Sequence, residues 1–134
     1  MSHIRIADAA QFLGVSNDTV RRWVNNGTLS SSVDSSKRMV IDGRELAEFA
    51  KTQAKSVVDP SGTESSARNR FVGLVTVVTA DRVMAQVEMQ CGPFRVVSLM
   101  SSEAVSDLGL EPGSVAVAVI KSTNVIIESL EGAS

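Results

Sequence analysis

Ser66-Ala67-Arg68-Asn69 stands just before Leu74-Val75-Thr76-Val77-Val78 and Val83-Met84-Ala85-Gln86-Val87-Glu88-Met89-Gln90, two runs that alternate with period two. Alternation of that kind places residues i and i+2 on one face, so each run reads as a half-buried strand, with Thr79 to Arg82 as the turn between them. Ile120-Lys121-Ser122-Thr123 answers the first stretch much later in the chain. Neither polar stretch is needed to fold a strand. A small hydroxyl, exposed backbone N–H groups and a guanidinium suit a tetrahedral oxyanion, which wants donors and positive charge and no acceptor.

The residues that follow extend the same pattern. Phe94 to Leu99 reads as a third strand, and Ser101 caps a short helix, Ser102 to Leu108, closed by Gly109. Glu111-Pro112-Gly113 is a turn, and Val115 to Ile120 and Val125 to Leu130 read as two more strands. Five strands and one short helix predict a five-stranded OB-like β-barrel.

On the other side the composition shifts. Thr52 to Ser65 contains Asp59-Pro60-Ser61-Gly62 and few apolar residues, and the residue before Pro60 is biased away from helix. The expected organisation is therefore α+β in two domains: residues 1–54, a linker at 55–64, and residues 65–134. Ile6, Ala9, Ala10 and Leu13 sit at helical spacing and Gly14 breaks the run. Ser16 is a good N-cap for a second helix, with Val20 and Trp23 or Val24 facing inward and Gly27 as its stop. Lys37 to Ile41 is a short strand candidate. Asp42-Gly43-Arg44-Glu45 has the spacing of a capping box ahead of a third helix with Leu46, Phe49 and Ala50 on its apolar face.

Composition bounds the function. The chain has 134 residues, no Tyr and one Trp, which argues against aromatic stacking on single-stranded nucleic acid. One Cys (Cys91) and one His (His3) supply neither a disulfide nor a zinc or iron ligand set. No apolar run approaches a membrane span and the first residues lack a signal peptide's apolar core, so a cytoplasmic protein without a membrane partner is expected. The net charge of −2 hides an asymmetry. Residues 1–56 carry eight Lys/Arg against six Asp/Glu, and residues 57–134 carry five against nine. Contact with nucleic acid therefore belongs to the first half. No histidine lies in the second half, and no paired carboxylates or nucleophile–base constellation stands out, so no enzyme is expected.

Ile6 to Trp23, with Gly14 between two short helices and Val15 plugging the turn, resembles the helix-turn-helix of the MerR and excisionase families over residues 4–50. That resemblance implies a winged helix-turn-helix that binds double-stranded DNA. Asn17 and Thr19 would reach base edges, Arg21 and Arg22 would meet phosphate or guanine, and Lys37 and Arg38 would sit on the wing beside the backbone. The departure lies at the wing, where Asp34-Ser35-Ser36-Lys37-Arg38 replaces the family's usual Gly-Gly-His-Arg. The alternative for this half is a protein–protein module.

Ser66-Ala67-Arg68-Asn69, Gly73, Leu108 to Gly113 and Ile120 to Thr123 together resemble the molybdate-binding Mop (TOBE) domain over roughly residues 65–130. In such domains the oxyanion lies at subunit or repeat interfaces. The resemblance implies contacts from Ser66, Ala67 and Arg68, from Ser101 and the N–H of Ser102 at the start of the short helix, and from Lys121 with Ser122. Other roles stay open: Ser101 as an ordinary N-cap, Arg68 paired with an Asp or Glu across an interface while Arg70 binds the anion instead, and Lys121 as a solvated strand end. Ala104 stands where many members carry a second small polar residue.

The combination implies a ModE-like, molybdate-responsive regulator with molybdate or tungstate as ligand. A single Mop unit implies a homo-oligomer through that domain, a dimer or a trimer of dimers. The rival is a molybdate storage or buffering protein whose first domain serves assembly.

Overall fold

A computed structural model describes residues 3–54, 59–60, 62 and 65–130. The chain divides into two compact units, Met1–Ser56 and Val57–Ser134. The linker expected at 55–64 lies largely outside the described residues.

The first unit runs β1 (His3–Arg5), α1 (Ile6–Leu13), α2 (Asn17–Asn25), β2 (Ser32–Val33), β3 (Met39–Asp42) and α3 (Gly43–Gln53). Its helices start and stop on local chemistry. Gly14 takes the left-handed conformation at φ 68° that ends α1, and Ser16 Oγ accepts the Thr19 N–H at 3.2 Å to open α2. The three strands form an antiparallel sheet in the order β1-β3-β2. Ile6, Ala9, Ala10, Val20, Leu29, Ile41 and Leu46 close the core. Trp23 packs on that core and meets Phe49 edge to face, with centroids 4.9 Å apart.

Two expectations are corrected here. The capping box at Asp42 does not form: Asp42 caps α3 without a side-chain hydrogen bond, and one of its carboxylate oxygens is buried without a partner. Glu45 is the reason, because its carboxylate accepts the Ser30 N–H at 2.8 Å instead of turning back to the cap. The strand expected from Lys37 begins at Met39, because Lys37 and Arg38 belong to the turn that follows β2.

The second unit holds β4 (Asn69–Ala80), β5 (Met84–Cys91), β6 (Phe94–Ser101), α4 (Ser102–Leu108) and β7 (Val115–Ile120), then a 3-10 turn at Ser122–Asn124. The sheet is antiparallel in the order β6-β5-β4-β7. Its long strand β4 pairs with β7 over its first half, from Asn69↔Ile120 to Leu74↔Val115. It pairs with β5 over its second half, from Leu74↔Gln90 to Ala80↔Ala85, with a register shift between Val75 and Val77. Gly73 sits where the strands crowd: a Cβ there would lie 2.4 Å from the Gln90 carbonyl oxygen and 2.7 Å from the Cys91 sulfur. Only glycine fits that approach.

The core of this unit is one face of β5 (Ala85, Val87, Met89, Cys91) with Val75 and Val105. The expected five-stranded barrel is corrected to four paired strands. Val125 to Leu130, read as the fifth strand, forms no strand within the chain, and Ile126, Ile127 and Leu130 are 86%, 85% and 95% exposed. An apolar stretch makes a strand only where a neighbour offers backbone partners. An apolar groove of about 590 Å³ remains over the sheet, lined by residues including Val75, Met89, Met100, Leu110 and Ala116.

Candidate functional site

The register of β4 against β7 brings two of the sequence-identified clusters together. Ser66, Ala67 and Arg68 lead into β4 at Asn69, whose cross-strand partner is Ile120, and Lys121 and Ser122 leave β7 one step later. Asn69 fastens this end by donating its side-chain N–H to the Ile120 carbonyl at 3.2 Å. Ser66, Arg68, Lys121 and Ser122 are exposed, whereas Ala67 is buried and its N–H is donated to Ser65 Oγ at 3.1 Å. Neither Arg68 nor Lys121 forms an ion pair among the described residues. Arg70, the other candidate cation, is held by Asp59 at 2.8 Å. The open end of the β4/β7 pair therefore carries two cations and two hydroxyls, and among the described residues no carboxylate pairs with either cation.

Ser101 and Ser102 are elsewhere. Ser101 pairs with Met84 across β5 and β6, beside the turn that ends β4. At about 3.3 Å per residue, the run from Asn69 to Ala80 measures on the order of 35 Å along its contour. Ser101 Oγ accepts the Ala104 N–H at 3.0 Å, so it is the N-cap of α4. Ser102 spends both donors internally, its N–H on the Val83 carbonyl at 2.9 Å and its hydroxyl on the Asp81 carbonyl at 2.7 Å. The turn they brace is itself organised by Asp81. Backbone N–H groups of Met84 and Val83, each at 2.8 Å, hold its carboxyl below the ordinary carboxylate range.

In the first unit, α2 presents Asn17, Arg21 and Arg22 to solvent. The Thr19 hydroxyl lies 2.9 Å from Ser16 Oγ and so supports the cap. Arg21 reaches Asp18 at a long 3.5 Å, a surface pair worth little. Arg22 forms no ion pair among the described residues. Lys37 and Arg38 are exposed in the turn between β2 and β3. Sequence reading missed Arg5, which pairs with Val40 in the adjoining strand and whose charge reaches Asp34 in that turn. A three-residue strand carries no periodicity, so no local signal placed Arg5 there.

Among the described residues no group of three or more His, Cys, Asp or Glu could hold a metal ion, and no helix is long and apolar enough to cross a membrane.

A helix-turn-helix unit ahead of a half-open antiparallel sheet with a cationic strand end defines the class. Residues 4–54 match the model of the helix-turn-helix domain, and residues 65–127 match that of the TOBE domain. Molybdenum-pterin-binding protein 3 of Clostridium pasteurianum is 41% identical over 63 residues, covering 46% of this chain and 93% of that protein. The chain thus belongs to the Mop/TOBE family through its second unit, joined to a helix-turn-helix domain. Among solved structures, MopII from Clostridium pasteurianum is 34% identical, with a TM-score of 0.46, over 49% of this chain and 100% of its own. The cytoplasmic molybdate-binding protein ModG, in a form with molybdate bound, is 42% identical, with a TM-score of 0.47, over 51% of this chain and 49% of its own.

Proposed function

We propose that this chain is a cytoplasmic transcription regulator without enzymatic activity, binding molybdate or tungstate at interfaces between copies and coupling that binding to double-stranded DNA. One observation carries the reading: the β4/β7 register brings Ser66 and Arg68 to the same strand end as Lys121 and Ser122, and neither cation forms an ion pair among the described residues. A dianion supplies the missing charge, and hydroxyl and N–H donors suit its oxygens. The name of the curated relative, a molybdenum-pterin-binding protein, supports molybdenum as the element that the anion carries.

Ser101 and Ser102 lie at the opposite end of β4, so in this proposal they complete the site only from a second copy. Their internal hydrogen bonds leave the Ser101 hydroxyl proton as the donor on offer, since its oxygen already accepts from Ala104. Ala67 contributes chiefly by shaping the turn, its N–H being spent on Ser65. The domain boundaries of this reading are 1–54 and 65–134, with 55–64 as the linker.

For DNA, Asn17 and Arg22 are the residues of α2 free to read or grip, with Thr19 secondary and Arg21 released from Asp18 on contact. A storage protein is the second reading, favoured by the relative that the second unit alone covers to 93%. Titration of the full chain against a random-sequence duplex library at moderate salt, with and without molybdate, separates the two. Sequence-selective retention that shifts with molybdate is expected; molybdate binding with no duplex retained selects storage.

A further inference from the structure

Lys37 is the one non-glycine residue with left-handed backbone among the described residues, at φ 61°, whereas the six other positive-φ positions are all glycine. An L side chain in that region crowds its own carbonyl, so a turn chosen for stability alone places glycine or asparagine there. Asp34 holds this turn from four directions. Its carboxylate accepts the Ser36 N–H at 2.8 Å and the Arg38 N–H at 2.9 Å, and its carbonyl accepts the Lys37 N–H at 3.0 Å. Its own N–H donates to the Arg38 carbonyl at 2.9 Å. Lys37 and Arg38 are exposed at the tip and form no ion pair among the described residues.

A cation kept where glycine would fold better needs a reason outside the fold. An aspartate kept beside a basic tip likewise works against phosphate electrostatically, so its presence there needs a geometric reason. We propose that Asp34 is a positioning residue: it locks the β2–β3 turn so that Lys37 and Arg38 meet the phosphate backbone of duplex DNA as a fixed pair. The inference rests on the DNA-reading function proposed above. Holding both cations in place before contact removes the ordering cost that loose side chains carry into binding.

The full chain tests this with two duplexes, one selected from a random library by the parent and one unselected, bound across a range of salt. Lys37→Gly should be no less stable than the parent in thermal unfolding, yet bind both duplexes more weakly by roughly five- to tenfold. Its plot of log affinity against log salt should be shallower by about 0.9, one phosphate contact. Asp34→Ala makes the chain more positive, so charge alone would tighten binding; loss of position instead weakens it. Asp34→Asn keeps the one oxygen that accepts both N–H groups and removes the opposing charge, so it should bind as tightly as the parent or more so.

A less stable Lys37→Gly variant overturns the inference. So does an Asp34→Ala variant that binds as tightly as the parent or more so; where that variant fails to fold, an Asp34→Asn variant that binds more weakly than the parent overturns it instead. A parent that retains neither duplex overturns DNA reading itself, and this inference with it.

Discussion

Each unit has a buried core of its own, but the second leaves far more large apolar side chains exposed than the first. In the first unit, around Val20, Leu29 and Ile41, all at most 2% exposed, a three-stranded sheet and three helices close on each other, and among the described residues its exposed large apolar residues are Phe12, Val33 and Met39. The second unit leaves far more uncovered, from Phe71 and Leu74 through Phe94 and Leu99 to Leu130. Exposed apolar area on that scale marks an interaction surface. The difference teaches that the first unit covers most of its own apolar surface, whereas the second leaves a face that suits the assembly proposed for it.

Substitutions placed one in each unit sharpen the contrast. Gly73→Val drives a side chain into the Gln90 carbonyl and the Cys91 sulfur, and should destabilise the second unit by about 3 kcal/mol or more. Leu29→Ala empties a fully buried site and should cost the first unit about 2–5 kcal/mol. Calorimetry of each variant should show one transition lowered and the other unmoved. A variant that lowers both would break the picture of separate cores.

The anion site belongs wholly to the second unit in this reading. Lys121→Ala should therefore weaken molybdate binding by roughly ten- to a hundredfold, the loss of one charged donor, while leaving duplex binding without molybdate intact. Titration calorimetry measures the first and fluorescence anisotropy of a labelled duplex the second. Unchanged molybdate affinity would remove Lys121 from the site.

The smallest effect concerns the aspartate-braced turn that each unit contains. Asp81 has a carboxyl held below its ordinary 3.8 by the Met84 and Val83 N–H groups. The unfolded chain then takes up that proton at a higher pH than the folded one. The carboxylate's contribution is thus complete above the unfolded value and disappears as pH falls through the lower folded value. Asp81→Asn should flatten the acid limb of the second unit's stability, followed by circular dichroism from about pH 5 to about pH 2. An acid limb identical to the parent's would assign it to other groups.

Much of this was legible locally. Ser16 and Ser101 announce their helices because a hydroxyl at the N-cap is satisfied three residues on, within sequence reach. Gly14 and Gly109 stop theirs by the same short-range logic. What sequence reading lost was decided at long range. Glu45 has the spacing of a capping box, but Ser30, fifteen residues away, offers the better donor. Val125 to Leu130 has the apolar residues of a strand, yet no strand forms there among the described residues. The candidate anion ligands read as one group, yet register sets Arg68 and Lys121 at one end of β4 and Ser101 at the other. Residue type named them; only pairing could sort them.

Trp23, against Phe49 in the first core, is the chain's one tryptophan, and Cys91, buried beside Gly73 in the second, is its one thiol. Each unit therefore carries a native reporter that the other lacks. Indole emission follows the loosening of the first unit alone, and the rate at which a thiol reagent labels Cys91 clocks the parting of β4 from β5. The unlabelled, unsubstituted chain can thus be watched in both halves at once, and a ligand bound in one half will declare in the other whether the two are coupled.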